Sequence, residues 1–344
     1  MSVTPSQLTD MLAGFIMASE PILITGAPGV GKSDLVAQAA LAAGADLILS
    51  HPAVADPTDA KGLPWPVAGK DEATFLPFGE LAQAIKATKK TVWFLDDLGQ
   101  ATPAVQASFM QLLLARRVNG HKLPDCVSFV AATNRRTDRA GVSGILEPVK
   151  SRFVTIVDLE PTIDDWTNWA FANGVPPMEI AYLRFRPEML SKFTASADMS
   201  NSPMPRTWAH VARIEKMGLR ADIEAEAMAG AVGQGAAGEY LAFRQMANSL
   251  VNLDGILLDP DHAAIPTEPN ELYATVVGLA GKATPLNFDR IATYTTRLYV
   301  EAERGEFAVL LVRDAQRREP MITHTNGFVK LAAGPVGKLF TGQI

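Results

Sequence analysis

The sequence predicts an α/β protein: a parallel sheet core with helices on both faces, followed by an α-helical region. Three observations predict it. Short apolar runs alternate with helical patterns up to residue 159. A glycine-rich turn at 26–33 joins the first of these runs to a helix. Beyond residue 159 the apolar spacing is helical only.

The elements follow in order. "PILIT", 21–25, reads as a buried strand, and "KSDLVAQAALAAGA" after the turn as a helix. "DLILSH", 46–51, is a second strand. The Pro/Gly-rich stretch from residue 52 to 80 is too long for a plain connector and reads as a functional loop or a hairpin, which would turn near "AGKDE". A helix over about 79–88 precedes the third strand, "TVWFLDD", 91–97. Thr-Pro then opens a helix with apolar residues at Val105, Phe109, Leu112 and Leu113. "RVNGHKLPD" reads as a hairpin, "CVSFVAATN" as a fourth strand ending in Asn134, and 152–159 as a fifth. Helical patterns fill 160 to about 250, and they resume to about 334 after the Pro-rich 257–271. The chain is therefore divided near 159 and near 255.

Bulk properties narrow the function classes. The 344 residues are 48% hydrophobic and 20% charged, enough for sizeable cores. A net charge of −6 argues against a protein whose main task is gripping nucleic acid. The single cysteine, Cys126, excludes an intrachain disulfide and fits a cytoplasmic location. The N-terminus reads as a helix leading into a strand, not as a signal peptide, and no window of about 20 apolar residues suggests a membrane span. The five histidines are scattered, so no structural metal site is expected.

"GAPGVGKS" matches the phosphate-loop pattern G-x-x-x-x-G-K-[ST] in full, between a strand and a helix. Gly26, Gly29 and Gly31 free the backbone so that N–H groups can turn inward and cradle phosphate oxygens. Ala27, Pro28, Val30 and Asp34 complete the expected nucleotide-binding set with Lys32 and Ser33. The helix start adds its positive dipole end. Lys32 would neutralise the β- and γ-phosphates of ATP, and the Ser33 hydroxyl would ligate Mg²⁺. Asp96, at the end of a later strand, would hold Mg²⁺ through its water shell. Asn134, ending the next strand, can orient the attacking water or contact the γ-phosphate.

Together these elements resemble an AAA+ ATPase, with Walker A at 26–33, Walker B at 92–97 and sensor 1 at Asn134. A nucleoside-monophosphate kinase shares the loop, but the acidic strand followed by a strand ending in Asn favours AAA+. "LDDLGQATPAVQASFMQLLLARRVNG" and the inserted "GLPWPVAGKDEATFLPFGEL" resemble the MoxR group. That resemblance spans roughly residues 1–215. It implies a nucleotide-binding core over 1–159 and a helical lid over 160–255; the helical C-terminal extension over 256–344 is read from its apolar pattern alone and carries no motif of the group. "LEPVKSRF" resembles the segment that presents an arginine finger, which places Arg152 there, with Arg135, Arg136 and Arg139 as rivals. "SPMPRTWAHVARI" resembles the sensor 2 helix and places Arg206 there. Asp97 stands where Glu is usual and is the expected base, with slow hydrolysis.

The resemblance implies a homo-oligomeric ring, a hexamer, that hydrolyses ATP and remodels or matures a protein partner as the lid moves against the core. Proteins of this group are often paired with a von Willebrand factor A-domain protein. The inserted hairpin is the candidate working surface: Trp65 is placed for partner contact and Phe78 for the core. Two alternatives stay open. One is a nucleic-acid-associated motor or helicase loader, which ranks lower because the basic runs are short. The other is an ATP-gated assembly switch with little hydrolysis.

Overall fold

The computed structural model describes residues 2–138, 144–194 and 199–341. It contains two compact units. One runs to Thr162, with a short segment from Phe193 counted with it, and the other begins at Ile163.

Among the described residues the first unit holds ten strands: β1 Ser2–Val3, β2 Ile22–Gly26, β3 Asp46–Ser50, β4 Leu63–Pro66, β5 Ala73–Leu76, β6 Thr91–Leu95, β7 Arg117–Val118, β8 His121–Lys122, β9 Val127–Asn134 and β10 Thr155–Leu159. Six form one sheet in the order β1-β10-β2-β9-β6-β3. Every neighbouring pair in it is parallel. The five expected strands are all present. The two-residue β1 at the sheet edge is too short to leave a pattern in the sequence.

Both faces of this sheet are covered, and the strands show how. Successive side chains alternate between faces. Ile22, Ile24, Val92, Phe94, Val130 and Ala132 pack with Leu8, Leu12 and Ile16 of α1 (Pro5–Ala18) and Val36 of α2 (Lys32–Ala42). Leu23, Trp93, Leu95, Phe129 and Ala131 face the other way. They meet α3 (Pro57–Lys61), α4 (Gly79–Ile85), α5 (Pro103–Ser108) and α6 (Met110–Ala115) through Ala60, Leu81, Val105 and Leu112. The single helix expected after Thr102 is thus two, separated at Phe109. The short α7 (Glu147–Lys150) precedes β10.

Two hairpins stand apart from the sheet. In β4–β5, Leu63 pairs with Leu76 and Trp65 with Thr74, and Gly69 turns with φ 75°. This is the hairpin expected near 68–72. Trp65 is 58% exposed, while Phe78 beyond it is half-buried. The β7–β8 hairpin touches it: His121 Nε2 lies 2.9 Å from the Phe75 carbonyl oxygen, and Asn119 donates to the Lys61 carbonyl at 2.8 Å.

The second unit is helical. It comprises α8 Ile163–Ala172, α9 Pro177–Phe185, α10 Pro205–Glu215, α11 Ala221–Val232, α12 Gln234–Leu250, α13 Leu253–Leu258, α14 Pro269–Lys282, α15 Phe288–Val300, α16 Gly305–Arg318, α17 Asn326–Ala333 and α18 Pro335–Thr341. Its buried side chains form one cluster, from Trp166 through Tyr240, Val276 and Leu311 to Val336. Helix α14 is buried almost all round, from Ala274 through Ala280, as a helix central to its unit must be. Leu253 packs closely over Gly278: a Cβ there would come 2.7 Å from Leu253 Cδ1 and would push that side chain aside. A buried ion pair joins α9 to α16: Arg184 grips Asp314 with both terminal nitrogens, one of them at 2.9 Å.

Candidate functional site

The site lies at the carboxyl ends of β2, β9 and β6, where an open parallel sheet presents its strand ends to ligands. Strand register brings the parts together. Gly26 at the end of β2 pairs with Asn134 at the end of β9, and Leu95 of β6 pairs with Ala131 of β9. Asp96 follows Leu95 directly and is 9% exposed. Its backbone N–H donates to the Ser50 carbonyl at 2.9 Å, which extends the β3–β6 ladder by one step and fixes where the carboxylate leaves the strand.

The loop between β2 and α2 has the backbone its glycines predict. Gly29 and Gly31 have φ of 71° and 98°, the left-handed region that side-chain-bearing residues avoid. Gly26 is needed for another reason: a Cβ there would meet the Leu159 carbonyl oxygen at 2.9 Å. Helix α2 begins at Lys32 without a side-chain cap, so its first N–H groups face the loop.

Lys32 is buried. Its Nζ donates to the carbonyls of Gly26 at 3.0 Å and Ala27 at 2.9 Å and to Asn134 Oδ1 at 2.8 Å. Ser33 Oγ donates to Asp96 Oδ2 at 2.6 Å. Asp96 Oδ1 accepts the backbone N–H of Asp97 at 3.1 Å. The structure therefore joins Gly26, Ala27, Lys32, Ser33, Asp96 and Asn134 in one contiguous polar cluster. The Ser33 hydroxyl and Asp96 carboxylate are hard oxygen donors side by side, the type and number that suit Mg²⁺ sharing its remaining positions with water and phosphate. Among the described residues no group of three His, Cys, Asp or Glu could hold a metal on its own.

Asp97 has φ 56° and ψ 35°. A left-handed backbone favours Gly, Asn and Asp, whose short polar side chains bond locally, over longer residues. This gives a physical reason for Asp rather than Glu at position 97.

The arginines are placed differently from one another. Arg152 lies just past α7, and its Nε donates to the Met110 carbonyl at 3.1 Å while Nη1 donates to the Pro148 carbonyl. Arg135 lies directly after Asn134, and its guanidinium meets Asp158 at 2.7 Å and Glu160 at 3.3 Å. The Asp158 hydrogen bond is the main reason its pKa is raised further above the usual arginine value. Arg136 is exposed. Arg139 lies outside the described residues. In the helical unit, Arg206 is exposed in the first turn of α10. His210 and Arg213 follow on its face of the helix. Burial, then the charges of Arg213 and Arg206, lower the His210 pKa.

One residue of the site's surroundings was hidden in the sequence. Gln106 is 1% exposed and uses its whole amide. Nε2 donates to the carbonyls of Ala101 at 3.0 Å and Gly144 at 2.9 Å, and Oε1 accepts the Leu146 N–H at 2.9 Å. It pins the segment that leads into α7 and Arg152. Its one visible signal was a polar residue directly after Val105 in an apolar helix.

The family comparison agrees with this geometry. Residues 21–153 match the family model "AAA domain (dynein-related subfamily)". No curated protein matches the chain. Among solved structures, the Thermotoga maritima RuvB Holliday junction branch migration motor is 14% identical, with 96% of this chain and 86% of that one covered and a TM-score of 0.35. Brucella abortus NtrX in complex with ADP is also 14% identical, with 98% and 67% covered and a TM-score of 0.35. Among the described residues no helix is long and apolar enough to cross a membrane. The chain carries, over residues 21–153, an AAA domain of the dynein-related subfamily, with the nucleotide-binding fold that this implies.

Proposed function

We propose that this protein is an ATPase that works as a homo-oligomeric, hexameric ring and remodels or matures a protein partner, in the manner of the MoxR group. One observation carries the reading. The phosphate loop, Ser33 with Asp96, and Lys32 with Asn134 converge at adjacent strand ends, at 2.6 and 2.8 Å.

Roles follow from chemistry. The N–H groups from Ala27 to Asp34, Pro28 excepted, surround the β- and γ-phosphates of ATP, and Lys32 supplies the compensating charge. Ser33 and Asp96 would hold Mg²⁺, which would supply positive charge to offset the negative charge that develops in the reaction. Asp97 orients the attacking water and takes its proton, and Asn134 orients the same water or the γ-phosphate. Arg152 reaches a neighbouring subunit's phosphates, and Arg206 reports on them from the lid. Motion of the lid (160–255) against the core (1–159) does the mechanical work, and the exposed Trp65 hairpin contacts the partner. A von Willebrand factor A-domain partner rests on the MoxR resemblance alone.

Steady-state phosphate release from the assembled protein tests this. Wild type is expected to turn over slowly, and Lys32→Ala to fall by about 10²–10³-fold, the usual loss for one fixed electrostatic group. Asp97→Ala is expected to bind ATP without turnover. A second reading, an ATP-gated switch, is favoured by the short acid at position 97. It wins if wild type binds ATP and assembles but releases phosphate no faster than Lys32→Ala.

A further inference from the structure

Arg135 follows Asn134 directly, yet its guanidinium lies across the sheet. β9, which ends in Asn134, neighbours β2, and β2 neighbours β10, which carries Asp158. The side chain therefore crosses the end of β2, where the phosphate loop begins. Strands are about 4.8 Å apart, so the reach uses most of an extended arginine. At the far side Nε donates to Asp158 Oδ1 at 2.7 Å, and Nη2 lies 2.7 Å from Oδ2. Nη2 also donates to the Leu159 carbonyl at 3.4 Å and to Glu160 Oε1 at 3.3 Å.

The same Asp158 oxygen accepts the Thr25 hydroxyl at 2.8 Å, one residue before Gly26. One carboxylate thus joins the residue that opens the phosphate loop to the residue after Asn134. Asn134 in turn accepts from Lys32, which is also bonded to the Gly26 carbonyl. The contacts close a ring through Thr25, Asp158, Arg135, Asn134, Lys32 and Gly26. Residues 158–160 are also the last turn of chain before Thr162, where the first unit ends.

We propose that Arg135 is a positioning residue that acts within its own chain. It sets Asn134 against the loop and couples that strand end to Asp158–Glu160, the segment from which the chain enters the helical unit. This rests on the reading of Asn134 as the phosphate-facing residue. It also separates Arg135 from the arginines that could act across a subunit interface. To serve a neighbour it would leave two carboxylates and break a two-point contact that lysine cannot reproduce.

The test uses the full chain and a non-hydrolysable ATP analogue, with hydrogen exchange read peptide by peptide. In wild type, nucleotide is expected to slow exchange over 26–34 and also over 158–165. In Arg135→Ala, protection over 26–34 is expected to remain and that over 158–165 to vanish. Asp158→Asn is expected to behave like Arg135→Ala, and Arg135→Lys to fall between. Turnover of Arg135→Ala is expected to drop about 10–100-fold with nucleotide affinity unchanged, the scale of a misplaced reacting group. Subunits of Arg135→Ala mixed with Lys32→Ala are expected to give no more activity than the two measured apart.

Restored activity in that mixture would make Arg135 a group acting in trans and would overturn the proposal. So would wild-type protection confined to 26–34, which leaves the ATPase reading intact. Failure of wild type to bind nucleotide at all removes the ATPase reading, and the coupling with it.

Discussion

The two units differ in how fully their buried polar side chains are satisfied. In the α/β unit, buried Lys32, Asp96, Gln106 and Ser50 all have hydrogen-bond partners. Among its described residues one oxygen of Asp138 is the exception. In the helical unit, Glu179 is fully buried and neither of its oxygens has a partner among the described residues. The hydroxyls of Thr167 and Thr275 and the indole N–H of Trp166 are in the same position. Secondary structure explains the contrast. Strand ends and helix starts leave backbone N–H and C=O groups free to meet a side chain. A helix interior has already paired its own N–H groups, so a buried carboxylate there needs a side-chain donor, whereas a hydroxyl such as that of Thr295 can still donate to the carbonyl four residues back, at 2.7 Å. Arg184 and Asp314 did so, and Glu179 did not.

The largest expected effect asks whether the α/β site is complete within one chain. Arg152→Ala is expected to leave nucleotide binding in place and to lower hydrolysis by about 10³–10⁵-fold, as loss of a trans-acting arginine does. Mixed with Lys32→Ala subunits it should regain activity. A variant that turns over at the wild-type rate would return the role to Arg136 or Arg139. Next is the paired exception in the helical unit. Arg184→Ala leaves buried Asp314 without its two-point partner and with only Arg317, 3.8 Å away, and is expected to cost about 3–5 kcal/mol in urea unfolding. Replacing both residues by leucine or methionine should recover most of that. Equal losses in the single and double variants would show that packing matters there and the pair does not.

Legibility in the sequence follows the same division. The strands, the loop and the residues Lys32, Ser33, Asp96 and Asn134 could be read because strand ends in a parallel sheet fix where a few residue types must stand. The left-handed backbone of Asp97 and the Arg135 clamp could not. The first depends on a local turn and the second on a register between β2, β9 and β10 that no spacing reveals. The helical character of the second unit was readable from its apolar period. The partners of its buried polar groups were not, because they come from helices far apart in sequence, such as Arg184 and Asp314, 130 residues apart.

Smaller effects set one buried polar group of each unit against the other. Gln106→Ala removes three hydrogen bonds and leaves the Leu146 N–H without its partner. It is expected to cost about 1–3 kcal/mol and to lower turnover through the segment that carries Arg152. Unfolding in urea gives the first quantity and phosphate release the second. If stability drops and turnover does not, Gln106 only supports the fold.

Glu179 should behave in the opposite sense. Burial first, and then the negative charge of Glu215, push its pKa well above 4.5, with Lys216 opposing. Glu215 already accepts the Tyr240 hydroxyl at 2.6 Å, so that donor is engaged elsewhere. The folded chain therefore keeps the Glu179 proton where the unfolded chain releases it. The stabilisation is complete below the unfolded value near 4.5 and is lost as pH rises towards the folded value. Across that window stability of the helical unit is expected to fall by up to about 1.4 kcal/mol per pH unit. Glu179→Gln carries no titrating group, so it should flatten this slope and be the more stable protein at pH 8. Urea unfolding of both proteins from pH 5 to pH 8 measures the difference. Parallel profiles would mean that Glu179 finds a partner in solution, and the contrast between the two units would then disappear.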